Sequence, residues 1–193
     1  MKVHLATSRP IGEKCIRWAE FDGFEFSSME DCDVFISVMY DKLVSEEFIA
    51  SKKRCVNFHP GLLPEQRGSG AFSWSIINGD RFCGVTLHEL ETDIDSGPII
   101  ETAIFEVEPT DTAETLYEKG MNAIFDLFRQ FFGKIIEGSY ETMPQDSAKA
   151  KVYYRRDLQR QRDLTRFVRA FTFDGKEPAF YIRKDGTKMN LEL

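Results

Sequence analysis

The stretch that decides the fold reads Val56-Asn57-Phe58-His59-Pro60-Gly61-Leu62-Leu63-Pro64. Its apolar start predicts the end of a buried strand, and its Pro and Gly residues predict that a loop follows. Because residues two apart in a strand point to the same face, Asn57 and His59 should project together at the strand's carboxyl end. Asp95 follows the next predicted strand, in the turn-rich segment 92–98. The sequence therefore predicts one site that contains an amide, an imidazole and a carboxylate.

These three side chains suit the transfer of a group that carries a carbonyl. The Asn57 amide donates hydrogen bonds without titrating and can stabilise an oxyanion. The His59 ring can accept a proton near neutral pH, and Asp95 can fix its tautomer. No Ser or Cys nucleophile is evident nearby, which predicts direct transfer to an amine or water. The residue types alone leave a second interpretation open, in which Asn57 and Asp95 are turn residues and His59 is a hydrogen-bonded loop histidine.

The order of the segments resembles the formyltransferase family that uses 10-formyltetrahydrofolate. This family includes glycinamide ribonucleotide, methionyl-tRNA and nucleotide-sugar N-formyltransferases. Its pattern of Asn-x-His, Leu-Leu-Pro and a distant Asp loop is similar to Asn57-Phe58-His59, Leu62-Leu63-Pro64 and Asp95-Ser96-Gly97-Pro98. Residues 33–102 look like the family without a gap. The resemblance implies that Asn57, His59 and Asp95 are catalytic residues.

Length and composition fit a small enzyme. The 193 residues can form one domain with a core and an appendage, and 42% hydrophobic with 30% charged residues argue against a disordered chain. No apolar run approaches the roughly 20 residues of a membrane-spanning helix, and the start lacks the apolar segment of a signal peptide. We therefore expect a cytoplasmic protein with no membrane partner.

The cysteines and the remaining histidines do not predict a metal site. The four cysteines are widely spaced without a Cys-x-x-Cys pair, which favours buried thiols in a reducing compartment. His4 and His88 lie in strand-like runs, where we expect packed, hydrogen-bonded rings. We therefore predict no metal.

The net charge of −7 is unevenly distributed, because residues 149–193 contain 12 Lys and Arg against 6 Asp and Glu. Two interpretations of this basic tail are equally open. It can bind phosphates or another anion, or it can form a solvated basic helix on its own acidic domain.

Strand-like and helix-like segments alternate through residue 137. Together with the resemblance, this predicts an α/β, Rossmann-like formyltransferase domain with a mainly parallel sheet and its site at the carboxyl ends of the strands. Thr110 or Asp111 should cap a long helix that ends near Glu137. Between Phe24 and Asp33 about one strand-helix unit of the family pattern is missing, so the N-terminal half should be shortened.

The polar segment 138–150 predicts a boundary between a catalytic domain, 1–140, and a small appendage, 141–193. The appendage should contain a charged helix over 157–171 and a β-hairpin with its turn at Lys184-Asp185-Gly186-Thr187. The run from Arg169 to Ala179 resembles the short C-terminal element of sugar N-formyltransferases. The aromatic residues of this tail also predict, weakly, a homodimer.

The resemblance implies 10-formyltetrahydrofolate as co-substrate. Residues 8–12 form neither a dinucleotide fingerprint nor a phosphate-binding loop, so no nucleotide motif indicates the co-substrate. By the family pattern it should lie against Met39, Tyr40, Leu43, Phe48, Thr92 and Asp93. Core packing is the alternative for Leu43 and Phe48, and for Phe48 it is favoured. Gln66 stands where relatives often carry an aromatic residue, which predicts a changed contact between the loop and the substrate.

The small tail favours a nucleotide-linked amino sugar as acceptor, first a dTDP-amino-dideoxysugar for a surface polysaccharide such as a lipopolysaccharide O-antigen. Stacking on a base and pairing with phosphates are predicted for Arg9, Trp74, Tyr153, Arg155, Arg156 and Arg169, with ordinary packing as the favoured alternative for any single one. Three rivals remain open: a methionyl-tRNA or other small-amine formyltransferase, a formyltetrahydrofolate hydrolase, and a non-catalytic binding module. Nucleic acid is not expected, because the tail is smaller than a nucleic-acid-binding domain.

Overall fold

The structure is a computed structural model that describes residues 1–160, 163–183 and 185–191. Its elements in chain order are β1 (Val3–Thr7), α1 (Pro10–Phe21), β2 (Val34–Val38), α2 (Glu46–Ser51), β3 (Arg54–His59), β4 (Arg67–Gly68), α3 (Ala71–Asn78), β5 (Phe82–Glu89), β6 (Ile99–Glu106), α4 (Ala113–Glu137), β7 (Val152–Tyr153), α5 (Leu164–Phe171), β8 (Phe180–Ile182) and β9 (Lys188–Asn190). Short 3-10 turns cover Ser147–Lys149 and Arg155–Arg160.

The central sheet has five strands in the order β1-β2-β3-β5-β6. Strands β1, β2 and β3 are parallel, whereas β5 is antiparallel to both of its neighbours. Four of the five strands therefore run in one direction, which confirms the predicted mainly parallel α/β sheet. The reversal of β5 matters for the site, because it sets which residues of β5 face those of β3.

Helices cover both faces of the sheet. Helices α1 and α4 pack on one face, where Val34, Ile36 and Val56 belong to the same apolar core as Leu116 and Phe128. Helix α2 packs on the opposite face, where Phe35 contacts Phe48 and Ile49 belongs to the same cluster. This layering leaves the carboxyl ends of the strands open for a site.

The long helix α4 begins after both of its predicted caps, Thr110 and Asp111. Thr112 is the cap, because its hydroxyl accepts from the Thr115 N–H while the Thr115 hydroxyl accepts from the Thr112 N–H. Asp111, one of the two predicted caps, instead accepts hydrogen bonds from the Glu108 N–H, Thr115 and Lys119.

The N-terminal half is short, as predicted. Strand β1 lies at the sheet edge, and no helix or strand lies between α1 and β2, a segment that the structure describes in full. This segment runs along β1, where the Ser27 N–H donates to the Val3 carbonyl, and Phe24 packs on Phe26 and Phe132. It thereby covers part of the edge that a further strand would occupy.

The C-terminal part contains the predicted hairpin, with Phe180 opposite Asn190. Lys184 of its turn and residues 161–162 of the predicted charged helix lie outside the described residues. In place of one long helix, the structure shows the turn Arg155–Arg160 and α5, which packs on α3 through a hydrogen bond from the Ser73 hydroxyl to the Ala170 carbonyl. The division into two domains stays a prediction. Among the helices that the structure describes, none is long and apolar enough to cross a membrane.

Candidate functional site

The structure brings Asn57, His59 and Asp95 together. Strand β3 carries Asn57 and His59 on one face, opposite His88 and Thr86 of β5. The His59 Nδ1 lies 3.4 Å from the Asp95 Oδ2, and the Asn57 Nδ2 lies 3.1 Å from the His88 Nε2. The predicted geometry of the three residues is therefore present, whereas their catalytic roles stay predictions.

The loop after β3 is tight enough to require glycine at position 61. A Cβ on Gly61 would lie 2.8 Å from the His59 Nε2 and 2.9 Å from the Gln66 carbonyl oxygen. The Thr86 hydroxyl donates to the Gly61 carbonyl at 2.7 Å and accepts from the Leu63 N–H at 3.2 Å. The loop is thus fastened to β5 next to the site.

Gln66 is a buried anchor of this loop. Its Oε1 accepts from the Leu62 N–H at 3.0 Å, and its Nε2 donates to the Ser75 hydroxyl at 2.7 Å and to the Asp80 carboxylate at 3.2 Å. Its carbonyl oxygen lies 2.7 Å from the His59 Nε2. Only about 5% of Gln66 is exposed, so its side chain acts within the loop, and a changed contact between the loop and the substrate stays a prediction.

Asp95 is held by residues from two other segments. Its carboxylate accepts from the Gly68 N–H at 2.8 Å, and Gln145 donates to the carbonyls of Asp95 and Gly97 at 2.8 and 2.7 Å. Arg67 in turn donates to the Gln145 Oε1. These bonds hold Asp95 in the left-handed region, at φ 49°, which is strained for a residue other than glycine. Gln145 lies in the polar segment 138–150, and no pattern in the sequence points to its role.

His88 is the packed, hydrogen-bonded histidine that was predicted, and it lies beside the site. Its Nδ1 lies 2.7 Å from the Glu89 carbonyl oxygen and its Nε2 3.7 Å from the Asp95 carboxylate. Burial, reinforced by the nearby charge of His59 and opposed by that of Asp95, lowers the pKa of His88 to about 4. The ring is therefore neutral at physiological pH.

A cavity of about 420 Å³ lies between α2 and the loop after β5. Its lining residues are Glu46, Ile49, Ala50, Leu90, Glu91, Thr92, Asp93 and Ser96. Thr92 and Asp93 had been predicted to bind the co-substrate, whereas Glu46, Ile49, Ala50, Leu90 and Ser96 had not been named as binding residues. Their spacing carries no motif, since only the packing of α2 against the loop brings them together.

The other four predicted co-substrate residues do not line this cavity. Phe48 and Tyr40 pack against Phe35, with ring centroids 5.2 and 6.4 Å away, so Phe48 follows the core-packing alternative. Leu43 is about 93% exposed, and Met39 is partly buried against the core.

Among the predicted acceptor residues, Trp74 and Tyr153 contact each other. Their ring centroids are 4.8 Å apart, and the buried Trp74 donates from Nε1 to the Tyr154 carbonyl. The guanidinium of Arg156 lies 4.6 Å from the Tyr154 ring, and Arg155 is exposed on the same segment. At about 7% exposure, Trp74 offers little surface on which a base could stack.

Arg169 and Arg9 differ in their surroundings. Arg169 donates to the carbonyls of Asp111 at 2.7 Å and Glu108 at 3.3 Å, which ties α5 to the start of α4. Arg9 is exposed just after β1, where its guanidinium donates to the Ser8 carbonyl. Arg9 is therefore the more available of the two for a ligand.

The cysteines are buried, and burial raises the pKa of Cys15, Cys55 and Cys83 to about 12. Over the described residues, no group of three or more His, Cys, Asp or Glu side chains is arranged to hold a metal ion.

Solved structures share this fold. A sugar N-formyltransferase from a Shewanella species superposes with a TM-score of 0.88 at 20% identity, covering 100% of this chain and 97% of the other. A 4-N formyltransferase from Francisella tularensis gives 0.83 at 20% identity, with 100% and 97% covered. At such low identity the likeness establishes the fold alone.

Sequence comparison, unlike the structural likeness, identifies the family. The GDP-perosamine N-formyltransferase of Brucella melitensis is 31% identical over 166 residues, which cover 81% of this chain and 63% of the relative. The chain thus matches less than two thirds of the length of that enzyme. The profile of the family described as formyl transferase matches residues 24–128, more than half of the chain. The chain therefore belongs to the formyl transferase family.

Proposed function

We propose that this protein is an N-formyltransferase that moves a formyl group from 10-formyltetrahydrofolate to the amine of a nucleotide-linked amino sugar. The observation that carries the proposal is the cluster of Asn57, His59 and Asp95 in a member of the formyl transferase family. The cluster combines a neutral donor, an imidazole and a carboxylate, which is the set that acyl transfer without a covalent enzyme intermediate requires.

Asn57 is arranged as a hydrogen-bond donor to the reacting carbonyl. Its Oδ1 accepts from the Ser37 hydroxyl at 2.7 Å, and one N–H of its Nδ2 is directed at His88. The second N–H of Nδ2 is then available to the oxygen of the formyl group. A donor fixed before the reaction stabilises the negative charge that develops on that oxygen.

His59 lies between two hydrogen-bond acceptors. Its Nε2 faces the Gln66 carbonyl and its Nδ1 faces the Asp95 carboxylate, so each ring nitrogen has an acceptor that a proton would satisfy. Asn57 stabilises the oxyanion, and the His59–Asp95 pair accepts, directly or through water, the proton that the attacking amine loses. The proton then passes to the folate nitrogen as its bond to the formyl carbon breaks and tetrahydrofolate leaves.

The cavity beside the Asp95 loop suits the formyl donor. Its volume of about 420 Å³ lies within the range of small-molecule sites. Ile49, Ala50 and Leu90 offer apolar surface to a flat ring, while Thr92 and Asp93 offer polar groups to its edge. 10-Formyltetrahydrofolate bound there would supply the formyl carbon. Two structural neighbours support a formyl-folate as the donor: the N-formyltransferase of Helicobacter canadensis is in complex with folinic acid, and WlaRD was crystallised in the presence of 5-N-formyl-THF.

Two acceptor candidates follow from different observations. The sequence favours a dTDP-amino-dideoxysugar, and the Helicobacter canadensis neighbour is complexed with dTDP-3-aminofucose. The relative with 31% identity is a GDP-perosamine enzyme. Arg9, Arg155 and Arg156 are exposed and are our candidates for the diphosphate. The roles of Trp74, Tyr153 and Arg169, the O-antigen pathway, the cytoplasmic location and the homodimer stay predictions.

The test is to mix the purified protein with 10-formyltetrahydrofolate and a panel of dTDP-, GDP- and UDP-linked amino sugars. Mass spectrometry should show one added formyl group on a member of the panel, and Asn57→Ala should abolish most of the turnover. Formate release without any sugar would favour a hydrolase instead. Turnover with an aminoacylated tRNA alone, with steep salt dependence, would favour a nucleic-acid substrate. No turnover at all would contradict the proposal.

A further inference from the structure

A row of polar side chains crosses three strands of the sheet. In the strand register, Ser37 of β2 lies beside Asn57 of β3, which lies beside His88 of β5. The Ser37 hydroxyl donates to the Asn57 Oδ1 at 2.7 Å, and the Asn57 Nδ2 lies 3.1 Å from the His88 Nε2. The row ends where His88 Nδ1 lies 2.7 Å from the Glu89 carbonyl oxygen.

The carbonyl oxygen of Glu89 fixes the direction of these hydrogen bonds. A carbonyl oxygen only accepts, so the His88 Nδ1 must carry a proton. The neutral ring then has its lone pair on Nε2, and that lone pair requires a donor. Among the residues that the structure describes, the Asn57 Nδ2 is the donor at hydrogen-bond distance from it, which leaves Oδ1 to accept from Ser37.

We propose that His88 and Ser37 are positioning residues that hold the Asn57 amide in the one orientation that presents an N–H to the reacting carbonyl. The reversed amide would place Oδ1 against the lone pair of His88 and would present an oxygen, instead of a donor, to a developing oxyanion. The proposal rests on the proposed function, because it assigns a role in the same reaction.

The arrangement depends on a neutral His88. The charged or titratable groups that face its ring are Asp95, whose Oδ1 lies 3.7 Å from Nε2, His59, whose ring centroid lies 6.2 Å away, and the guanidinium of Arg67. His88 itself is fully buried, and its pKa of about 4 keeps the ring neutral well below pH 7. Protonation of Nε2 would place two donors face to face, the new N–H of His88 and the N–H of the Asn57 amide.

The kinetic test uses a matched pair of variants. In His88→Gln the longer side chain reaches the position of Nε2 and can accept from Asn57, whereas in His88→Asn it reaches only the position of Nδ1. We expect His88→Asn to lower kcat roughly tenfold to 100-fold, less than the 10²–10³ typical when a donor is removed outright. We expect His88→Gln to recover at least part of that loss, and KM to change little in either variant.

The decisive comparison repeats the substitutions in an Asn57→Ala background. If His88 and Ser37 act through Asn57, then His88→Asn and Ser37→Ala should cost less than about twofold once Asn57 is absent. A loss of the same size in both backgrounds, or full activity of His88→Asn, would overturn the proposal.

A second measurement needs no activity and no altered protein. Nitrogen-15 NMR of histidine-labelled wild-type protein should show His88 protonated at Nδ1, bare at Nε2 and neutral down to about pH 5, as its pKa of about 4 requires. A proton on Nε2 at pH 7 would overturn the proposal. If the wild-type protein formylates no acceptor while the NMR result holds, the proposed function fails and the assigned orientation of Asn57 stands.

Discussion

The Nε2 atom of His59 lies 2.7 Å from the main-chain carbonyl oxygen of Gln66. Because that oxygen only accepts, Nε2 carries a proton in either charge state of the ring. The only other ring nitrogen, Nδ1, lies 3.4 Å from the carboxylate of Asp95. The Gln66 carbonyl and the Asp95 carboxylate therefore fix the orientation of the His59 ring from its two sides.

The first prediction concerns the side chain that holds this carbonyl in place. Gln66→Leu removes the acceptor for the Leu62 N–H and the donor to Ser75, both in buried surroundings. We expect a loss of about 1–3 kcal/mol in the free energy of unfolding, measured with urea, together with a lower kcat as the loop shifts. Glu65→Gln, an exposed change in the same loop, should alter stability by less than about 0.5 kcal/mol. Equal effects of the two changes would contradict the role given to Gln66.

The second prediction separates the charge of Asp95 from its shape. Asp95→Asn keeps an oxygen that can accept from the Gly68 N–H but removes the negative charge beside His59. We expect kcat to fall on the order of 10²–10³ with little change in the urea midpoint. Asp126→Asn, which removes one charge from the exposed face of α4, is the control. Near wild-type turnover of Asp95→Asn would exclude the carboxylate from the mechanism.

Asn57, His59 and Asp95 could be predicted from the sequence. Strand periodicity places Asn57 and His59 on one face, and the order of the family's segments includes all three residues. The sequence did not indicate Ser37 or His88 as partners of Asn57. Their contacts depend on the register of β2 and β5 against β3, and on the reversed direction of β5. No local pattern encodes the register between distant strands.

The same limit applies to the cavity and to Gln145. Three apolar residues, Ile49, Ala50 and Leu90, meet Thr92 and Asp93 only because α2 packs against the loop after β5. Gln145 lies in a polar connection without periodicity, so its two hydrogen bonds to the Asp95 loop left no signal in the sequence. Long-range packing, more than local propensity, decided these contacts.

The third prediction tests that connection. Gln145→Glu has nearly the same shape but directs oxygens, not N–H groups, at the carbonyls of Asp95 and Gly97. We expect kcat to fall roughly tenfold, which corresponds to the loss of one or two hydrogen bonds of about 1 kcal/mol. The measurement is turnover under saturating substrates, with Gln130→Glu on the exposed side of α4 as control. Unchanged turnover would mean that the strained Asp95 loop keeps its conformation without the hydrogen bonds from Gln145.

The fourth prediction is a pH dependence of stability. Burial raises the pKa of Asp80, although hydrogen bonds from Asn78, Gln66 and Ser75 oppose the rise. The folded chain therefore binds this proton more tightly than the unfolded chain, and the contribution of Asp80 to stability falls as pH rises from its ordinary pKa through the raised value.

Asp80→Asn removes this titration and keeps an acceptor for the Gln66 amide. We expect the stability of the variant relative to the wild type to increase from about pH 4 towards pH 7, because only the wild type must bury a charge at the higher pH. Urea unfolding at several pH values provides the measurement. A stability difference that does not change with pH would show that the carboxylate of Asp80 is as well solvated in the folded chain as in the unfolded one.

The fifth prediction compares two glycines of the same helix. Gly120 lies where α4 packs against α3, and a Cβ there would overlap with the ring of Phe72. Gly133 lies on the exposed side of α4, and a Cβ there would meet nothing within 4 Å. Both positions have a helical backbone, so alanine changes helix propensity equally at each. The difference in the free energy of unfolding between the two alanine variants therefore measures the effect of packing.

Gly133→Ala should raise the free energy of unfolding by about 0.5–1 kcal/mol, because alanine restricts the unfolded chain and favours the helix. Gly120→Ala receives the same gain, but the buried Phe72 must move, and overpacking of this kind costs about 1–3 kcal/mol. We therefore expect a net loss at position 120 in urea unfolding. A double variant with Phe72→Leu should recover part of that loss, since it removes the ring that the new methyl group meets. Stabilisation by Gly120→Ala alone would show that α4 can shift away from α3, and that the close packing of these two helices behind the site is not rigid.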